Sequence, residues 1–192
     1  MGFMPDHFAI LAQPRRPWLD AEALKDAFHR ATAQEHPDVA GGSGENAAAI
    51  NAAYAVLSQP SARLRHLLAL EWPDFAPAPA AIPATLADFF GRIATLRQSS
   101  AVLAKKEAAA QSPLARALLA GDRAALRSDL QTALSELEAA EAAALADLRA
   151  LDASWDQRDT TTPALLTTAQ QQFSFLAKWQ AQLREDLFKL EA

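Results

Sequence analysis

An all-α fold is predicted by three features of the sequence. Alanine and leucine supply much of an apolar fraction of 51%, while aromatic residues make up only 7%, a balance that favours helices packed at short distance over a β-rich core. Apolar residues recur at alternating three-and-four spacing over long stretches, the pattern of one buried helix face. The prolines fall between those stretches rather than inside them. With 192 residues and roughly 150 residues per domain, the chain makes one compact domain or two small ones. A charged fraction of 21% and a mean hydropathy of -0.07 exclude a disordered chain and leave enough apolar residues for a core.

Taken in order, Asp6 is placed to cap a short helix through Leu11, which the Pro14 to Pro17 stretch ends. A second helix starts near Asp20, with Asp20 and Glu22 at its positive end and Ala23, Leu24, Ala27, Phe28 and Ala31 on one face; Pro37 stops it. Gly41, Gly42 and Gly44 connect it to a third helix, marked by Ala49, Ile50, Ala53, Tyr54 and Leu57 and closed by Ser58-Gln59-Pro60. Arg63, Leu64, Leu67 and Leu68 outline a short fourth. Pro73, Pro77, Pro79 and Pro83 then forbid a continuous helix and mark the clearest boundary in the chain.

Beyond that boundary lie three long stripes: Leu86, Phe89, Ile93, Leu96, Ser100 and Leu103; Leu130, Leu134, Leu137, Glu141, Ala144, Leu148, Leu151 and Trp155; and Ala169, Phe173, Leu176, Leu183, Leu187 and Leu190. Ser112-Pro113 and Asp159 to Pro163 separate them, which predicts an antiparallel three-helix bundle. Gly121-Asp122 reads as a further turn, leaving Leu114 to Ala120 as a short connector helix.

Composition also narrows function. The formal net charge is -5, with 18 Lys+Arg against 23 Asp+Glu, which argues against nucleic acid as a partner, since phosphate neutralisation needs a basic face. The absence of cysteine removes disulfides, thiolate chemistry and any Cys-ligated zinc or iron–sulfur cluster held by the chain itself. His7, His29, His36 and His66 lack the spacing of helical metal ligands, and no phosphate loop or nucleophile elbow is present, so neither an enzyme nor a metal or cofactor site is expected. Met1 to Leu11 has no basic n-region, and no apolar run approaches a membrane span. A soluble, cytoplasmic protein with no membrane partner is the expectation.

The tripeptide His36-Pro37-Asp38 carries the most information. Pro37 pushes His36 out of the α region, so an imidazole and a carboxylate are displayed together at a bend. Alone, the tripeptide reads equally as a helix stop with a turn. It comes, however, with Asp6-His7-Phe8-Ala9-Ile10-Leu11 upstream, Phe28 before it, and Ile50-Asn51-Ala52-Ala53-Tyr54-Ala55-Val56-Leu57-Ser58-Gln59-Pro60 after it. The N-terminal segment thereby resembles a J-domain. That resemblance implies a co-chaperone that docks on a DnaK-type heat-shock ATPase and accelerates its ATP hydrolysis, with His36, Pro37 and Asp38 acting by contact and not as acid–base catalysts. J-domains present a basic second helix to an acidic surface of that ATPase. Lys25 and Arg30 keep that character, or are plain solvated helix residues, whereas Asp26, His29, Gln34, Glu35 and Val39 depart from it.

A J-domain joined directly to a three-helix bundle, without a glycine–phenylalanine linker or a cysteine-rich module, is similar to the HscB-type co-chaperones of iron–sulfur cluster assembly. Arg63-Leu64-Arg65-His66-Leu67-Leu68 looks like that family's fourth J-helix, and Phe175-Leu176-Ala177-Lys178-Trp179 through Leu190 like its last helix. The resemblance implies a J-domain over 1–71, a Pro-rich linker over 72–83 and a bundle over 84–192. It also implies an HscA-type ATPase as partner and a cluster scaffold protein as client, held by an apolar patch with acidic flanks. Phe89, Phe90 and Ile93 match the apolar spacing and Phe175 an aromatic of the last helix, while Ala94, Arg97 and Ala101 stand where the family has acidic residues.

Helical spacing sorts these candidates. Phe89 and Ile93 lie on the core stripe and read also as plain core. Phe90 is one step off it. Phe175 and Trp179 fall off theirs, four residues apart and so on one face. Phe90, Phe175 and Trp179 are therefore expected to form a solvent-facing apolar patch, unless an interdomain contact buries them. Without an acidic rim, client affinity should rest on apolar burial and fall little with salt. Two other readings stay open: a J-domain protein with a different client, and a helical adaptor whose J-like segment no longer activates a chaperone.

Overall fold

A computed structural model describes residues 5–34, 44–77, 79 and 81–191. Seven α-helices account for most of them: α1 (His7–Ile10), α2 (Ala21–Gln34), α3 (Gly44–Ser58), α4 (Pro60–Glu71), α5 (Ala87–Ala109), α6 (Pro113–Ala153) and α7 (Thr162–Glu191). Short 3₁₀ turns at Ala84–Leu86 and Trp155–Gln157 precede α5 and follow α6. No strand occurs among the described residues, so the all-α fold read from the sequence is the fold observed. Two compact units result: Met1–Ala80 with Leu145–Gln171, and Ala81–Ala144 with Gln172–Ala192.

In the first unit, α3 packs against α1, α2 and α4. The Asp6 carboxylate accepts from the backbone N–H groups of Phe8 and Ala9 and so starts α1. Asp20 caps α2 in the same way through Ala23 N–H at 2.9 Å. Leu24 and Ala27 turn inward against Ile50, Ala53 and Leu57 of α3, all buried. Ala23, at the edge of that face, is exposed. Pro60 opens α4 at its first turn, where its missing N–H costs nothing.

The buried Arg63 of α4 ties the loop before α2 to the end of α3. Its Nε donates to the carbonyl of Pro17 at 2.9 Å, and its Nη1 donates to the carbonyl of Leu57 at 2.5 Å. Burial pushes its pKa down to about 10, with the Asp152 carboxylate working in the opposite direction, so the guanidinium stays charged at neutral pH. Asp152 belongs to the end of α6 that shares this unit. There it pairs with Arg16 at 3.9 Å and accepts from Trp18 N–H at 3.4 Å, while Arg149 lies 4.8 Å over the Trp18 ring. Trp155 meets Trp72 edge-on at 5.9 Å, and Arg158 pairs with Glu71 at 3.1 Å. Residues 145–171 thus pack with the N-terminal helices, although the sequence groups them with the bundle.

The second unit is built from α5 and parts of α6 and α7. Its ion pairs give the register: Arg92 meets Glu136 and Glu107 meets Arg123, so α5 and α6 run antiparallel. Arg184–Glu138 and Arg127–Glu191 set α7 antiparallel to α6. Between them Ile93, Leu103, Leu126, Leu130, Leu137, Phe173, Leu176 and Leu183 are buried. Gln180, also buried, donates to Glu141 at 2.8 Å, which satisfies the one polar residue in the α6 stripe.

The expected turn at Gly121-Asp122 does not exist, because α6 runs unbroken from Pro113 through Gly121 to Ala153. Leucine and alanine on both sides are strong helix formers, and one glycine costs only about 1 kcal/mol against them. Lys106–Asp122 and Arg123–Glu107 also tie this stretch to α5.

Candidate functional site

Two surfaces carry the residues singled out by the sequence. The first centres on α2. Lys25 and Arg30 are both exposed on it, and α2 is held to α3 by the Phe28 ring stacked on Tyr54 at 4.4 Å. His36, Pro37 and Asp38 follow α2 in sequence and lie outside the described residues.

In the same unit, α1 is fastened to α4 through a polar cluster. The backbone N–H of His7 donates to His66 Nε2 at 3.1 Å, and the Phe8 ring stacks on His66 at 5.7 Å. Arg15 bridges Asp6 at 2.7 Å and Glu71 at 3.1 Å. Burial works to raise the Asp6 pKa, but Arg15 and the capped N–H groups hold it below the usual carboxylate range. Burial pushes His66 down, and nearby His7 adds to the effect. His66 is thus accounted for by packing.

The second surface is on the bundle. Phe90 of α5 is 55% exposed, whereas Ile93 is core at 3%. Phe89 is half-buried, with the Arg92 guanidinium 6.0 Å from its ring centre. On α7, Phe175 is half-buried and its ring lies 5.5 Å from that of Trp179. Trp179 is not part of an exposed patch: it is only 5% exposed. The stripe read from the sequence jumped from Leu176 to Leu183 and left out the position between them. Trp179 lies three residues after Leu176 and four before Leu183, so it fills the missing step of the helical repeat.

A groove of about 410 Å³ lies beside Phe90, lined by Ile93, Ala94, Arg97, Lys178, Trp179 and neighbouring glutamines. Arg97 donates through Nε to the buried Asp186 carboxylate at 3.4 Å. Lys178, which lines this groove, escaped the sequence reading, which singled out only aromatic residues as site candidates on α7. Its spacing from Phe175 and Gln182 already places all three on one face. Among the described residues no group of His, Asp or Glu is arranged to hold a metal ion, and no helix is long and apolar enough to cross a membrane.

No family model matches the chain. It is 46% identical over 61 residues to a tetratricopeptide repeat and J domain-containing co-chaperone of Cryptococcus neoformans var. grubii, a match covering 32% of this chain and 11% of that protein. The chain therefore spans about a tenth of the length of that curated relative. Among solved structures it is similar to chaperone HscB from Vibrio cholerae, with a TM-score of 0.59 and 19% identity over 97% of this chain and 99% of that one. At that identity the likeness is one of fold. It extends over nearly the whole chain, J-like helices and bundle together, and the HscB-like recognition made from the sequence is met at that level.

Proposed function

We propose that this chain is a J-domain co-chaperone: it stimulates ATP hydrolysis by a DnaK/HscA-type chaperone through His36-Pro37-Asp38 and presents a client on its bundle. The full-length likeness to the HscB fold carries this reading, because it joins a J-like helical hairpin and a client-sized bundle in one chain. Lys25 and Arg30, exposed on α2, supply cations for an acidic ATPase surface. The client assigned by this reading is an iron–sulfur scaffold protein, met by Phe90, with the half-buried Phe89 and Phe175 as further contacts. Ile93 and Trp179 support that surface from the core. The chain performs no covalent chemistry in this scheme. A second reading, a J-protein with a different client, draws on Arg97 and Lys178, which give the patch a basic edge.

Single-turnover ATP hydrolysis tests the proposal. Wild type should accelerate a DnaK-type ATPase, and His36→Gln should abolish the effect while leaving the helical signal and Tm nearly unchanged, since His36 lies on no apolar stripe. Stimulation by neither protein across several such ATPases would favour the adaptor reading instead, and equal stimulation by both would remove His36 from the proposed contact.

A further inference from the structure

The groove beside Phe90 has a built chemical character. Ile93 and Trp179, both buried, form its apolar floor, and Phe90 stands up from it at 55% exposure. Its charged lining consists of Arg97 from α5 and Lys178 from α7; no carboxylate lines it. Asp186 occupies one donor of Arg97 and the Glu185 carboxylate also acts on it, but the Arg97 side chain remains 40% exposed and keeps further N–H groups to offer. Lys178 is exposed. The two cations stand out on a chain whose formal net charge is -5.

We infer that the Phe90 groove takes an acidic segment carrying a large apolar side chain, the opposite charge preference to the acidic-flanked patch that the family resemblance implies. This rests on reading the Phe90 surface as the client site. The apolar side chain seats against Phe90, Ile93 and Trp179, and carboxylates beside it pair with Lys178 and the free edge of Arg97. The weak salt dependence expected from the sequence is thereby reversed. Arg97 enters that expectation only as a missing acid, whereas Lys178 joins it in the groove from a second helix. Charge at the rim of an interface acts through screened attraction, so salt weakens it.

The test uses the whole chain and two labelled synthetic peptides. Each carries a Leu-Phe anchor, flanked by aspartates in one and by lysines in the other, and binding is followed by fluorescence anisotropy. The aspartate peptide should bind at low ionic strength and weaken about tenfold by ~0.5 M salt. Lys178→Glu should weaken it about fivefold or more, with the fold intact because Lys178 is exposed. The lysine peptide should not bind wild type. Equal binding of both peptides, an unchanged affinity for Lys178→Glu, or binding by neither peptide overturns the inference. ATPase stimulation reports on the other reading separately. A chain that stimulates the ATPase but ignores peptide charge keeps the function and loses this inference; charge-selective binding without stimulation does the reverse.

Discussion

His7 and His66 are joined by a hydrogen bond that only one protonation state allows: the backbone N–H of His7 points at His66 Nε2, 3.1 Å away. That nitrogen must carry no proton to accept. Ring contacts with His7 at 4.5 Å and Phe8 at 5.7 Å surround the imidazole. Of the charged groups facing it, Asp6 favours a proton on His66 and Arg15 opposes one.

A pH dependence of stability follows. His66 is held below its ordinary value of 6.5 by burial first and by His7 second. Below that value the unfolded chain binds a proton that the native chain refuses, so stability is full above it and declines as pH falls toward the native value. One such group contributes at most about 1.4 kcal/mol per pH unit. The urea midpoint should drop between pH 7.5 and pH 5.5. It should drop less in His66→Gln, whose amide oxygen accepts from His7 N–H without titrating. Identical profiles for the two proteins would remove His66 from this role.

What the sequence made legible was local. Asp6 and Asp20 announce helix starts within one turn of themselves, and each start is where it was read, while Pro60, read as the close of α3, also opens α4. Trp179 is the exception to local legibility: its position completes the Leu176–Leu183 step of the α7 stripe, and it is buried. Arg63 was unreadable for a different reason. Its two carbonyl partners, Pro17 and Leu57, are loop and helix-end groups that any residue type supplies, so no side-chain pattern announces a buried guanidinium. The placement of residues 145–171 beside the N-terminal helices depends likewise on Asp152, Trp155 and Arg158 meeting partners far away in sequence. At the candidate site, the aromatic residues were visible one by one. The basic edge of the Phe90 groove needed α5 and α7 side by side.

Gly121 offers a direct check on the unbroken α6. It sits inside the helix, and a Cβ built there meets nothing within 4 Å. Gly121→Ala should therefore stabilise the protein by about 0.5–1 kcal/mol, through lower backbone entropy in the unfolded chain. Urea unfolding followed by far-UV circular dichroism measures it. A destabilised variant would mean that the chain turns at Gly121 in solution, as the sequence alone predicts.

Phe90 and Trp179 lie along one groove, yet truncation should separate them. Trp179 is 5% exposed and packs within the bundle core, so Trp179→Ala should cost about 3–5 kcal/mol of stability. Phe90 is 55% exposed, so Phe90→Ala should cost no more than about 0.5 kcal/mol. Its loss should be felt in binding, because a large aromatic standing beside an apolar floor is the type of residue that anchors interfaces. Calorimetric titration with an iron–sulfur scaffold protein should show Phe90→Ala weaker by about 2 kcal/mol, in the range of interface hot spots. ATPase stimulation should be unaffected, since the α2 surface is untouched. Unchanged scaffold affinity in a folded Phe90→Ala protein would assign the groove to a different client, and a large loss of stability would place Phe90 in the core.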